Sequence, residues 1–277
     1  MTMNSINTNA QALIALQSLN TTNAQISATQ KRVSTGYRVA DARDDGGAFA
    51  VAQSVRSDVA GVIAVGEQLG GVKGILQTTF AALSVVSDTM KQVRATLTRL
   101  ADGAISADQR TTYQKQYELL AAQVGSFVDD AFYNGRTLLS TDTAANGGNI
   151  TGIRNESGGT FTIKAVNGAD LDLPPTAPTT ASIAATWIVS GGEFDDVEKA
   201  ISTALNEFGS SMAFVDNQIK YNSQKVDAME GGLGALVDAD LAKESSSLEA
   251  LKVRQQLGVQ TLGLANQGPQ ILLGLFR

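Results

Sequence analysis

No cysteine and no histidine occur among the 277 residues. The first absence excludes disulfides, and the two together exclude any metal site built on Cys or His ligands. They also remove the histidine base and the cysteine nucleophile on which much enzyme chemistry depends. Aromatic residues make up 5% of the chain, beside a hydrophobic fraction of 43%. Aromatics normally supply large areas to compact cores, so a core drawn from Ala, Val and Leu favours close-packed helices. Proline is scarce, with three of the four residues (Pro174, Pro175, Pro178) close together. The net charge of −6 gives no general electrostatic attraction to nucleic acid or to an anionic membrane. No run approaches the ~20 consecutive apolar residues of a membrane span. The stretch Met1 to Leu19 lacks the basic start of a secretory signal, the first positive charge being Lys31. The expected partners therefore include no nucleic acid and no membrane, and export by the general secretory route is not expected.

What is present is a ladder. Val55, Val62, Leu69, Leu76, Leu83, Met90 and Leu97 recur every seven residues. A companion series, offset by three, runs Val65, Val72, Thr79, Val86, Val93 and Leu100 after an opening Asp58. Apolar residues at alternating steps of three and four lay a narrow seam along one side of a helix. No proline interrupts the stretch, and its glycines fall off both series. A surface helix of a compact globule usually runs only ~8–20 residues, so a seam of this length predicts packing against other long helices. A second seam of the same period runs through Val197, Ile201, Ala204, Phe208, Met212, Val215, Ile219, Val226, Met229 and Leu233, and Gly231, Gly232 and Gly234 are expected to break it.

The two ends share a different character. Residues 1–30 contain no charged side chain and are rich in Asn, Gln, Ser and Thr, with Ile6, Leu13, Leu16, Leu19, Ile26 and Val33 at spacings compatible with one helical stripe. Lys31 and Arg32 suit the last turn of that helix, and Gly36 is placed as a left-handed cap. The final segment carries Leu236, Leu241, Leu248, Leu251, Val259, Leu262, Ile271, Leu272 and Leu275, again with no charge between Arg254 and Arg277. Disordered tails combine low hydrophobicity with high charge, whereas these ends combine neutrality with regular apolar spacing. That combination predicts burial in an assembly. Between the ladder and the second seam, Ser106 and Gln109 match a capping box opening a helix over about Asp108–Asp130, with Tyr113, Tyr117, Leu120, Val124 and Phe127 on one side. Tyr133-Asn134-Gly135 closes it with a turn. Residues 140–192 then predict a small β-rich insert. Phe161, Ile163 and Ala165 alternate, Asn167-Gly168 resembles a hairpin turn, Leu171 and Leu173 alternate again, and Trp187-Ile188-Val189 adds a strand.

Candidate chemistry is thin. Asp44-Asp45 lies beside Arg38 and Arg43 and is expected to be a structural charge cluster. Asp238 or Asp240 is expected to cap the helix beginning at Leu241 in preference to ligating a cation with Glu244. Gly70-Gly71-Val72-Lys73-Gly74 follows no strand and lacks phosphate-loop spacing. No nucleophile has a recognisable base. The expectation is a protein that is not an enzyme and carries no catalytic residue, cofactor or metal.

Several stretches resemble a known family. Lys31-Arg32-Val33-Ser34-Thr35-Gly36-Tyr37-Arg38-Val39, with Ala42-Arg43-Asp44-Asp45-Gly46-Gly47, resembles the N-terminal signature of bacterial flagellins. Phe132-Tyr133-Asn134-Gly135-Arg136-Thr137-Leu138-Leu139 resembles the turn that ends the N-terminal half of those proteins. Val237 to Ser245, Gln255-Gln256-Leu257-Gly258, Ala265-Asn266-Gln267 and the ending Leu275-Phe276-Arg277 resemble their C-terminal half. The similarity covers roughly residues 1–140 and 193–277, and is greatest to the short flagellins of alphaproteobacteria. It implies a subunit that polymerises into the helical flagellar filament for swimming. It also implies export unfolded through the flagellar type III apparatus with an export chaperone, addition beneath a cap protein, a junction with hook-filament proteins, and a secreted, extracellular location. In that family exposed Ser and Thr carry O-linked sugars, for which the insert offers acceptors such as Thr176 to Ser182. The metalloprotease insert of some flagellins requires histidine and is excluded.

The expected fold is therefore mainly α: an elongated coiled-coil or helical-bundle core, paired N- and C-terminal helices, and a small insert containing a β-hairpin. The expected division is a terminal helix and linker (1–44), a helical core (45–140), a solvent-facing insert (141–192), a second core segment (193–234) and a C-terminal helix (235–277). The resemblance assigns an inner tube of paired termini, and Ile6, Leu13, Leu16, Leu19, Ile26, Leu241, Leu248, Leu251, Leu262, Leu272 and Leu275 are the expected self-assembly residues. The expected core seam is Val55, Val62, Leu69, Leu76, Leu83, Met90 and Leu97, with Val197, Ile201, Phe208 and Val215. The alternative is a flagellin-like junction, cap or surface-binding protein that forms no bulk filament, distinguishable by its copy number per filament.

Overall fold

A computed structural model describes residues 9–275, apart from the side chains of Ala145 and of residues 268–275. The chain is mainly α, with six helices and one two-stranded antiparallel sheet among the described residues: α1 (Ala10–Thr35), α2 (Gly46–Leu100), α3 (Ala107–Asp129), β1 (Ile150–Ile153), β2 (Thr160–Ile163), α4 (Ala181–Ile188), α5 (Glu193–Val237) and α6 (Leu241–Leu275). The backbone divides into two compact units, residues 58–227 and residues 1–57 with 228–277, so the boundaries fall inside α2 and α5.

Residues 58–227 are organised on α2. Leu69, Leu76, Leu83, Met90 and Leu97 are buried, as are Val62, Val65, Thr79, Val86, Val93 and Leu100. From Val65 onward the apolar ones join Tyr117, Leu120, Val124 and Val128 of α3 and Phe194, Ile201, Ala204, Phe208 and Val215 of α5 in one cluster; Val197 is half-buried against it, and Val62 and the half-buried Val55 lie outside it. Lys73 pairs with Asp216 at 2.6 Å, and Arg94 with Glu198, tying α2 to α5 along the rim. The buried threonines of α2 return their hydroxyls to the carbonyl four residues back, as Thr79 does to Ile75, which leaves the seam outwardly apolar. By length and composition α2 is, among the described residues, the one helix apolar enough to cross a membrane. Its apolarity is an average over the helix, and its seam is the protein's own core.

Short-range signals are realised in place. Ser106 and Gln109 form the reciprocal capping box of α3. Asn134 and Gly135 both take positive φ, and Tyr133 and Arg136 exchange backbone hydrogen bonds across them.

The insert departs from expectation. β2 pairs backward with β1, in the register Ile150↔Ile163 and Gly152↔Phe161, not forward across Asn167-Gly168. Neither Asn167 nor Gly168 takes the positive φ that a type I′ turn needs. The Asn167 side chain instead caps a turn of 3-10 helix, Gly168–Leu171. Gly168 passes so close to the Leu139 carbonyl that a Cβ there would lie 2.5 Å from its oxygen. Trp187 and Ile188 belong to α4, capped by Thr180, and no strand forms there. Ala184 is buried and the Trp187 ring packs on Tyr117 at 5.8 Å, a helical spacing that three consecutive apolar residues disguise. The hairpin loop is anchored to α5 by Lys225 on Glu156 at 2.6 Å and by Gln218 and Asn222, both donating to the Arg154 carbonyl. A further correction concerns Gly231, Gly232 and Gly234, which interrupt nothing: α5 continues to Val237.

Candidate assembly surface

The second unit brings the two ends of the chain together. α1 opens on Asn9, whose side-chain oxygen accepts from the Ala12 amide, and closes on Gly36 at φ 74°. α6 opens on Asp240, whose carboxylate accepts from the amides of Ala242 and Lys243. The helices run antiparallel: Asn9 lies against Ala265, Leu19 against Gly258, Asn23 against Gln255 and Arg32 against Glu244.

Buried and half-buried residues trace the contact. On α1 they are Ala12, Ala15, Leu19, Thr22, Ile26, Thr29 and Val33; on α6 they are Glu244, Leu248, Leu251, Gln255, Gly258, Leu262 and Ala265. Both series step by three and four, a seven-residue repeat. The inner face of α1 is therefore composed largely of small and hydroxyl side chains. Leu13 and Leu16, placed on one stripe with Leu19 and Ile26 from the sequence, are exposed. They sit one position after the contact residues Ala12 and Ala15, and one residue is a rotation of about 100° on a helix. The stripe followed the large apolar side chains, whereas close approach of two helices selects small ones. Leu241 is exposed as well; Leu248, Leu251 and Leu262 are half-buried. Ile6 and the side chains of Leu272 and Leu275 lie outside the described residues.

Pairing leaves much apolar surface uncovered. Val253, Leu257 and Leu264 are 55%, 56% and 68% exposed, and their spacing of four and seven puts them on one stripe of α6 away from the α1 contact. On α1, Leu13 and Ile14 are exposed to a similar degree. Singly exposed leucines need no explanation, but aligned ones mark interaction surfaces.

The base of the pair is closed by backbone pairing. Tyr37 and Asp238 form a β-bridge, the amides of Arg38 and Val39 both donate to the Val237 carbonyl, and Ala239 donates to Gly36. The Arg38 guanidinium adds a bond to the Leu236 carbonyl, so carbonyls left over at the end of α5 are satisfied by the opposite end of the chain. Val39, Ala52 and Val237 form a small core beneath them. Lys31 reaches Asp41 and Asp44 at 2.8 Å each, and these bonds hold both carboxyls below the ordinary aspartate range and the ammonium above the ordinary lysine value. Asp44-Asp45 is a structural pair whose cation is Lys31, not Arg38 or Arg43, while Asp45 accepts from the amides of Gly47 and Ala48 at the start of α2. A groove of about 610 Å³ beside this junction is lined by Arg32, Arg38 and Lys243 together with Asp240 and Glu244, charges of both signs.

Long helices, paired ends and an uncovered apolar stripe define a structural, self-associating protein. Residues 6–144 match the bacterial flagellin N-terminal helical region, and residues 194–276 match the bacterial flagellin C-terminal helical region. The chain is 32% identical to the flagellin FljK of Caulobacter vibrioides, with 100% of both chains covered. It is 33% identical to a flagellin of Brucella melitensis, covering 99% of this chain and 100% of that one. Among solved structures, a candidate flagellar hook-associated protein from Vibrio parahaemolyticus shares the fold, with a TM-score of 0.53 over 70% of this chain and 100% of that chain at 15% identity. The chain belongs to the bacterial flagellins, the structural subunits of the flagellar filament.

Proposed function

We propose that this flagellin polymerises through its paired ends, with copies of itself covering the outward stripe Val253, Leu257 and Leu264 of α6 and the exposed Leu13, Ile14, Leu16 and Leu241. Ile26, Leu19, Leu248, Leu251 and Leu262 form the seam within each subunit. The observation that carries this assignment is the uncovered apolar stripe on a helix pair whose own contact is already made by the opposite face. The α2 seam residues Leu69, Leu76, Leu83, Met90 and Leu97, with Val197, Ile201, Phe208 and Val215, supply the core of residues 58–227, and Val55 and Val62 continue the series outside that cluster. Membership of the family supports the rest of its route: export unfolded through the flagellar type III apparatus with a chaperone, incorporation beneath a cap and beyond the hook junction, and an extracellular filament whose Thr-rich insert carries O-linked sugars.

The test is a Leu257→Asp, Leu264→Asp variant. Both side chains are exposed in the subunit, so its helicity and thermal unfolding should match those of the wild type, while sedimentation and electron microscopy should find no filament. Normal filaments from this variant would sink the proposal.

A further inference from the structure

Asn-Gly occurs three times in the chain, at Asn134-Gly135, Asn146-Gly147 and Asn167-Gly168. Each pair holds the atoms of a slow self-modification, in which the glycine nitrogen attacks Cγ of the asparagine and ammonia leaves. The fold places the three in different chemical states. Gly147 is buried, and its amide donates to the Asp142 carbonyl at 2.9 Å. A Cβ there would lie 2.4 Å from the Ser140 carbonyl oxygen, so the peptide has no room to turn. The Asn167 side chain is bound at both ends, its nitrogen donating to Asp170 at 3.2 Å and its oxygen accepting from the Ala169 amide at 3.4 Å. Asn134 and Gly135 are both exposed, and among the described residues neither the Asn134 side chain nor the Gly135 amide has a protein hydrogen-bond partner.

The turn also brings Asn134 part of the way to the reacting shape. Closing a ring from Cγ to the glycine nitrogen requires Cβ to eclipse that nitrogen. This sets ψ at about −120°, the value at the first central residue of a type II′ turn. Asn134 and Gly135 stand at φ 50° and 73°, the pattern of a type I′ turn. Both types share the positive φ at Asn134, so rotation of the single peptide between the two residues brings the atoms together. Tyr133 and Arg136 hold the ends of the turn at 2.9 and 3.0 Å. Asn146 also has a positive φ, 59°, but the peptide that follows it is pinned.

We propose that Asn134 is a site of self-modification in this chain, with water as the reagent. The Gly135 nitrogen gives its proton to hydroxide and bonds to Asn134 Cγ. The Cγ–Nδ2 bond breaks, and ammonia leaves with a proton taken from water. Water then opens the cyclic imide, at Cγ to give aspartate or at the main-chain carbonyl to give isoaspartate. One water is consumed and one ammonia released, with no oxidation or reduction. Either product puts a negative charge on the turn. Isoaspartate also carries the main chain through Cβ and Cγ, and the added carbon parts Tyr133 from Arg136 and frees the ring that packs on Gly74 of α2.

The test ages full-length soluble subunits at neutral and mildly alkaline pH. The deamidated fraction of each Asn-Gly peptide is followed by mass spectrometry, and isoaspartate by an isoaspartyl methyltransferase with labelled S-adenosylmethionine. Asn134 should convert at least about five-fold faster than Asn146, the factor by which one intramolecular hydrogen bond keeps the Gly147 amide closed, and faster than Asn167. Its rate should rise with pH, because the Gly135 amide must lose its proton. In concentrated urea the three rates should converge. Asn134→Gly, which suits both positive φ angles, should remove most of the methyl-accepting signal from folded protein. Asn146 or Asn167 leading in the folded protein overturns the proposal, as does an order of rates that urea leaves unchanged. A methyl-accepting signal undiminished in Asn134→Gly overturns it as well.

Discussion

Two glycines one helical turn apart in α2 should respond oppositely to the same substitution. Gly70 is exposed, and an added Cβ would meet nothing within 4 Å. Replacing it with Ala removes the entropic penalty of glycine in a helix interior, about 1 kcal/mol in favour of the fold. Gly74 offers the same backbone gain, but there a Cβ would lie 2.5 Å from Cζ of Tyr133 and 2.9 Å from its Oη. The ring cannot slide away with its backbone, because Tyr133 and Arg136 exchange hydrogen bonds at 2.9 and 3.0 Å across the Asn134-Gly135 turn. It must swing off the helix instead. Tyr133 is 42% exposed, so roughly half of a large side chain's burial is forfeited, about 1–1.5 kcal/mol.

Gly70→Ala should therefore stabilise by about 1 kcal/mol, and Gly74→Ala should range from neutral to slightly destabilising. The pair should differ by about 1–1.5 kcal/mol, or roughly 2–6 °C in midpoint at the 2–4 °C per kcal/mol typical of a cooperative unit of this size. Urea and thermal unfolding of soluble subunits followed by far-ultraviolet circular dichroism would measure both. Tyr133→Ala supplies the control, since in that background Gly74→Ala should recover the full gain of about 1 kcal/mol. If Gly74→Ala stabilises wild-type protein as much as Gly70→Ala does, or keeps its penalty without the tyrosine ring, the argument from close approach is wrong.

Two other perturbations follow from single contacts. Lys31 lowers the carboxyls of Asp41 and Asp44 and is itself raised; the carboxylate contribution is thus present above the ordinary aspartate value of about 4 and lost as pH falls through the lower folded values. The lysine contribution is complete below about 10.4 and lost only as pH rises past the raised value, so amide exchange at Val39 and Ala239, corrected for intrinsic rates, should be flat near neutrality and climb in acid, and Lys31→Met should abolish the acid climb. Tyr117 is buried and donates to the Pro174 carbonyl at 2.9 Å, and burial keeps its phenol protonated far above the ordinary range; Tyr117→Phe should cost about 1–2 kcal/mol in urea unfolding by stranding that carbonyl, with no loss expected if water reaches it.

The features legible in the sequence were those fixed within a few residues or by large side chains. Gly36, Ser106 with Gln109, and Asp240 act on their own neighbours, so composition and spacing specify them. The α2 ladder is legible because Leu, Met and Val at a fixed period have only one face to bury. What escaped depends on a partner distant in sequence. The pairing of β2 is decided by Ile150 and Gly152, upstream of the alternation that looked like a hairpin. The glycines near the end of α5 are tolerated because Leu233, Leu236 and Val237 pack beside Val39 and Ala52, and such packing outweighs propensity. The phase of α1 escaped because its contact residues are small, so apolarity pointed to the wrong face. The contact of Asn9 escaped because its side-chain amide bonds the Ala265 carbonyl, 256 positions away.

The two seven-residue repeats differ in what they deliver. Along α2 nearly every rung is a fully buried Leu, Met or Val, each contributing about 1.5–3 kcal/mol. Along α1 the buried residues are Ile26 and two threonines, so the α1–α6 contact supplies a small fraction of that. Helices held by so little are marginal in water unless other packing is added. On the proposed contacts that packing comes from other copies, through Val253, Leu257 and Leu264, which exceed in size most of what α1 buries inside. Folding of the ends and polymerisation are then one process, driven by the outer stripe.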